Sequence, residues 1–138
     1  EVAFIVSSCD KYYFLWNPFF ESLDKYWPDC PFQLYLVTNY REFNNEKVKT
    51  LKVGKDKSFS ENLIKAISMV KEKKYILWFE DVFFSKKVLT NQFLELLFNA
   101  DKSNCDYLKL SNDMPMAYEA FKENEFIGEL PKNIKYRY

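Results

Sequence analysis

Short, almost purely apolar runs recur along this chain at strand length, separated by stretches with helical spacing, and this feature constrains its fold most. The runs are "VAFIVSS" at residues 2–8, "FQLYLVTN" at 32–39 and "KYILWF" at 74–79. They are too short for buried helices and lack the polar alternation of a half-exposed sheet, which is the pattern of strands covered on both faces in a parallel sheet. "VAFIVSS" is expected to be the central strand. Between the runs, "NPFFESLDKYW" predicts a helix with Asn17 as its cap, Pro18 at its first position and Phe19, Phe20, Leu23, Tyr26 and Trp27 on one stripe. "EKVKTLKVG" alternates apolar residues with lysines and reads as a half-exposed strand near the sheet edge. Ser60 is placed to cap a helix carrying Leu63, Ile64, Ile67 and Val70, "NQFLELLFNA" predicts another helix, and "CDYLKL" a fifth strand of the sheet. After that the pattern supports only a short helix and irregular or edge structure. The order strand, helix, strand, strand, helix, strand, helix, strand implies one α/β domain over residues 1–138, a three-layer sandwich with a mostly parallel central sheet.

Composition excludes several function classes. The chain has 138 residues with 20 basic and 20 acidic side chains, so no net field draws it to nucleic acid or to an anionic membrane. It has no histidine, which removes histidine triads, histidine general bases and His-ligated metals. Three widely spaced cysteines argue against a disulfide framework and for a reducing, cytoplasmic setting. No apolar run is long enough for a transmembrane segment.

The polar residues fall in clusters at the carboxyl ends of the expected strands, where open α/β sheets bind ligands. Ser7, Ser8 and Asp10 follow the first strand, Thr38 and Asn39 the second, Asp56, Lys57 and Ser58 the third, and Glu80 and Asp81 the fourth. Adjacent carboxylates at the end of an apolar strand call for a cation, a hydrogen-bond network or solvent, since charge is not buried alone. As metal ligands they suit Mg²⁺ or Mn²⁺, which use one or two carboxylates together with substrate phosphates and water. As surface groups they would pair with Lys86 or Lys87. Asp10 reads equally as a turn or capping aspartate, and Asp56 with Ser58 as a turn followed by a helix cap. Asp113, in "LSNDMP", is a candidate catalytic base or a turn carboxylate. With glycine only at positions 54 and 128, neither a dinucleotide-binding fingerprint nor a P-loop is present.

The segments "AFIVSSCDKYYFLWNPFFESLDKYWPDCPFQLYLVTN", "DKSFSENLIKAI" and "KYILWFEDVFF" together resemble the nucleotide-binding part of the GT-A-fold glycosyltransferases, in particular small bacterial members that build surface glycans. The likeness covers roughly residues 2–90, and "FIGELPKNIKYRY" is similar to the start of a family tail whose later part is absent. It implies a nucleotide-sugar donor, a glycan or lipid-linked acceptor with peripheral membrane association, and no nucleic-acid partner. It further implies that Ser8 and Asp10 lie near the nucleoside, that Asn62 contacts the sugar or diphosphate, and that Glu80 and Asp81 hold a metal at the D-x-D position; the strand-end clusters extend the expected nucleotide site to Ser7, Asp56 and Ser58. Val82 stands where the last acid of that motif would be, so "FED" offers a doublet in place of a spaced pair.

Overall fold

A computed structural model of the chain describes residues 1–108 and 110, together with the backbone of strands 128–130 and 134–137. It divides into two compact units, Glu1–Val88 and Leu89–Tyr138.

The first unit is an α/β layer structure around a parallel sheet. Its elements are β1 (Val2–Ser7), a 3₁₀ turn (Asp10–Tyr12), α1 (Tyr13–Tyr26), β2 (Gln33–Thr38), β3 (Val48–Lys52), α2 (Phe59–Ser68) and β4 (Lys74–Phe79). The strand order is β3-β2-β1-β4, every pairing is parallel, and β1 is interior as its unbroken apolar run requires. Register places Phe4 beside Leu34 and Ile76, and Ser7 beside Phe79.

Each face of the sheet has its own cover. Ala3, Ile5, Tyr35, Val37 and Leu51 form one buried layer with Ala66 of α2, against which Ile67 and Val70 also pack. On the other face the ring of Phe4 meets Trp27, at the end of α1, and Trp78. Phe84, beyond β4, stacks on Trp78 with ring centroids 4.9 Å apart and planes 8° from parallel, and also meets Trp27 and Phe19. Ser22 of α1 fixes this loop: its hydroxyl donates to the Phe84 carbonyl at 3.1 Å and accepts from the Phe84 N–H at 3.0 Å.

Two helix starts differ from the expectation. The first helix begins at Tyr13, four residues before Asn17, so Pro18 lies inside it rather than at its first position. As the sixth residue of α1, Pro18 removes one i→i−4 bond, to the Phe14 carbonyl in the second turn, although its fixed φ suits the helix. The second helix is capped by Ser58, not Ser60: the Glu61 N–H donates to the Ser58 hydroxyl at 3.2 Å, and the Glu61 side chain accepts from the Ser58 backbone, a complete capping box.

The second unit contains α3 (Thr90–Lys102), β5 (Tyr107–Leu108), β6 (Gly128–Leu130) and β7 (Ile134–Arg137). Its antiparallel sheet has the order β5-β7-β6, so "CDYLKL" contributes two residues to this second sheet and not a fifth strand to the parallel one. No described helix is long and apolar enough to cross a membrane.

Candidate functional site at the carboxyl ends of the strands

The connection through α1 carries the chain from β1 outward to β2 and β3, and α2 brings it back to the opposite side of β1, so the direction of winding reverses between β1 and β4. Such a switch point opens a crevice beyond the strand ends. The two residues that leave β1 and β4 side by side, after the paired Ser7 and Phe79, are Ser8 and Glu80.

Glu80 and Asp81 occupy the two central positions of a tight turn closed by the Val82 N–H on the Phe79 carbonyl at 3.1 Å. The indole N–H of Trp78 reaches over the turn to the Val82 carbonyl at 2.7 Å. The turn sends the carboxylates to different environments: Glu80 is 7% exposed, while Asp81 is open to solvent. Burial raises the Glu80 pKa, the Asp81 charge raises it further, and hydrogen bonds from its own backbone and the Ser8 hydroxyl oppose the shift. Ser8 is itself held, since its oxygen accepts the Trp16 indole N–H at 2.8 Å. Trp16 thus buries its body in the core and uses its one donor to hold the Ser8 hydroxyl at the end of β1. Among the described residues, neither Glu80 nor Asp81 forms an ion pair with Lys86 or Lys87.

Asp10 serves the scaffold. Its carboxylate accepts backbone N–H groups from Asn39 at 2.9 Å, Tyr40 at 3.0 Å and Arg41 at 3.2 Å. Asn39 returns the bond through Oδ1, which accepts the Asp10 N–H at 2.9 Å, and its Nδ2 donates to the Gly54 carbonyl at 3.0 Å. The Gly54 N–H closes onto the Asn39 carbonyl at 2.9 Å, with Gly54 at φ +80°, a conformation that favours glycine. The ends of β1, β2 and β3 are therefore stitched together through Asp10, Asn39 and Gly54. Around this knot the rim carries exposed Tyr12, Tyr13, Phe14 and Tyr40, with the Arg41 guanidinium 4.2 Å from the centre of the Tyr13 ring.

Asp56, Ser58 and Asn62 form a separate closed loop. Asn62 donates to Asp56 at 2.7 Å and accepts the Lys57 N–H at 3.3 Å, while Ser58 is occupied with Glu61. The structure thus brings Ser8 and Glu80 together, gives Asp10, Asp56, Ser58 and Asn62 partners within the chain, and leaves Asp81 free of ion pairs among the described residues. Asp113 lies outside the described residues. The organising roles of Asn39 and Trp16 were not singled out from sequence; the signal available for Asn39 was an Asn directly after a strand, and for Trp16 only a donor needing a partner.

No cluster of three metal-ligating side chains exists among the described residues. A carboxylate doublet beside the crevice fits Mg²⁺ or Mn²⁺ only where the ligand's own phosphate oxygens and water complete the shell. No protein-family model, no curated protein and no solved structure matches the chain.

Proposed function

We propose that the chain is a nucleotide-sugar glycosyltransferase of GT-A type, or the donor-binding part of one, with the diphosphate at the crevice between β1 and β4. The observation that carries this reading is the Ser8–Glu80–Asp81 constellation at the point where the winding of the sheet reverses. Asp81 is the ligand for the cation that accompanies the diphosphate, and Glu80, set by Ser8, backs the turn that presents it. A Mg²⁺ or Mn²⁺ ion there would neutralise charge on the leaving diphosphate, the main electrostatic demand of sugar transfer. The loop after β1 frames the nucleoside, with Asp10 acting through the backbone it organises rather than by direct contact.

A second reading is a domain of this kind that binds a nucleotide or a protein partner without turnover. It is favoured by the engagement of Asp10, Asp56 and Asn62 in bonds within the chain and by the acidic doublet in place of a spaced pair. Calorimetric titration with UDP, GDP and CDP, each with and without Mn²⁺, tests both. Metal-dependent binding lost in Asp81→Asn supports the transferase; metal-independent binding supports the second reading. No binding of any nucleotide by the folded protein eliminates the nucleotide site.

A further inference from the structure

The rim over the ends of β1, β2 and β3 carries aromatic rings and cations together. Tyr12, Tyr13 and Phe14 follow one another in the turn after β1, and Asp10 holds the backbone of Tyr40 and Arg41 against that turn. All four rings are exposed, Phe14 by 60% and Tyr40 by 68%. Apolar side chains exposed singly need no explanation, whereas a cluster of exposed rings marks a surface that something covers.

The charges say what kind of partner fits. Lys11 stands over the Tyr12 ring at 5.6 Å and Arg41 over the Tyr13 ring at 4.2 Å, while Phe14 meets Tyr13 edge-on at 6.2 Å. Lys55 directly follows Gly54, which is bonded to Asn39 through both its N–H and its carbonyl. Among the described residues, Lys11, Arg41 and Lys55 form no ion pair. The acids of the same region are engaged: Asp10 with backbone N–H groups, Glu42 with Lys52, Asp56 with Asn62, and Glu61 with Lys57 and Ser58. Asp81, which is open to solvent, lies beyond β4 at the other side of the sheet. The chain as a whole is neutral, yet this part of its surface offers cations without counter-ions. Amphipathic rings interleaved with such cations suit the boundary of a bilayer, where the rings enter the edge of the acyl region and Lys and Arg stay at the phosphates.

We propose that the surface formed by Lys11, Tyr12, Tyr13, Phe14, Tyr40 and Arg41 docks on an anionic lipid surface, with Lys55 adding to the attraction. Binding is peripheral and turns the strand ends of the first unit toward the bilayer. The attraction is local and electrostatic, so it weakens as salt screens it. It does not depend on the nucleotide reading, because neither the crevice nor the acidic doublet takes part.

Co-sedimentation with vesicles tests the proposal without any nucleotide present. The full chain is expected to bind vesicles of phosphatidylcholine mixed with phosphatidylglycerol, to ignore phosphatidylcholine alone, and to be released by added salt. Arg41→Glu replaces an attraction by a repulsion and is expected to weaken binding by about tenfold or more. Its fold is expected to be kept, since Asp10 holds Arg41 by the backbone N–H and not by the side chain. Replacing Tyr13 and Phe14 together by serine is expected to weaken binding with all charges intact. Lys71→Glu makes the same charge change at the amino end of β4, away from the rim, and is expected to bind as the wild type does. Circular dichroism confirms that each variant is folded. No binding to either vesicle, equal binding to both, a loss in Lys71→Glu as large as in Arg41→Glu, or unchanged binding in the folded serine variant would overturn the proposal. Binding of a single-stranded oligonucleotide in place of vesicles, lost in the same variants, would overturn it too and assign the surface to nucleic acid.

Discussion

Asp10 and Asn39, 29 residues apart, hold each other's backbone: each N–H donates to the other's side-chain oxygen at 2.9 Å. One residue opens the turn after β1 and the other directly follows β2, so this reciprocal pair fixes the loops that leave the two strands. Hydrogen bonds to an ionised carboxylate contribute more than neutral ones, and Asp10 accepts from three consecutive residues.

Asp10→Ala is therefore expected to destabilise the fold by about 2–4 kcal/mol, since it leaves several backbone donors without their acceptor. Asp10→Asn, which keeps one acceptor oxygen, is expected to cost less. Urea denaturation of the two variants measures this directly. A residue reserved for ligand would show the opposite, unchanged stability with lost binding.

The same pair shows where sequence reading stops. β1 and β2 are legible because a strand buried on both faces must be apolar at every position, and β3 because its lysines alternate with apolar residues as at a sheet edge; the same apolar reading of "KYILWF" gives β4 as a strand but not its cover, since only Ile76 of β4 is buried. A carboxylate after a strand looks the same whether it faces a ligand or three N–H groups from a distant loop, so the scaffold role of Asp10 could not be read locally. The Ser58 cap was legible in principle, because Glu61 stands three residues on. Of the two readings of this stretch, a cap at Ser60 and a turn followed by a cap at Asp56 and Ser58, the second is the one the structure shows. "CDYLKL" was rightly read as strand-forming, but nothing in an alternating run says which sheet it joins.

The segment after β3 gives a second prediction. Residues 54–62 are closed by the Asp56–Asn62 bond and the Ser58–Glu61 capping box, all on exposed side chains except Asn62. Such bonds stabilise without burying apolar surface, so this loop should open more readily than the core. Ser58→Ala is expected to cost about 1 kcal/mol and to accelerate amide exchange across residues 54–63, with β1 protection unchanged. Nucleotide addition is expected to slow exchange in the same window.

Tyr35 and Glu72 provide a third. Both are buried, and the tyrosine hydroxyl donates to the Glu72 carboxylate at 3.1 Å. Burial, the bond to Glu72 and the nearby negative charge all raise the Tyr35 pKa, so the phenol stays neutral and remains a donor well into alkaline solution. Tyr35→Phe leaves a buried carboxylate short of a donor, and is expected to cost about 1–3 kcal/mol. Adding Glu72→Leu is expected to recover much of that loss, because removing both partners leaves no polar group unsatisfied. Thermal melts of the single and double variants check the sign of the coupling.

The last prediction concerns the acidic doublet. A carboxyl whose folded pKa is raised binds its proton more tightly in the folded state than in the unfolded one. Its contribution to stability is therefore fully present below the unfolded value and is lost as pH rises through the folded value. Glu80 meets this condition, chiefly through burial and secondarily through the Asp81 charge. Glu80→Gln removes the cost of ionisation while keeping an acceptor for Ser8, so its melting temperature is expected to match or exceed the wild type at pH 8. That advantage should shrink as pH falls through the folded Glu80 pKa. Asp81→Asn removes the neighbouring charge from an exposed position, so its melting temperature is expected to stay level or rise slightly, within about 0.5 kcal/mol of stability. Mn²⁺-dependent nucleotide binding should fall in Asp81→Asn at the same time. A clear drop in melting temperature with unchanged nucleotide affinity would instead assign Asp81 to the fold, and the apolar strand β4 would end in acids for structural reasons alone.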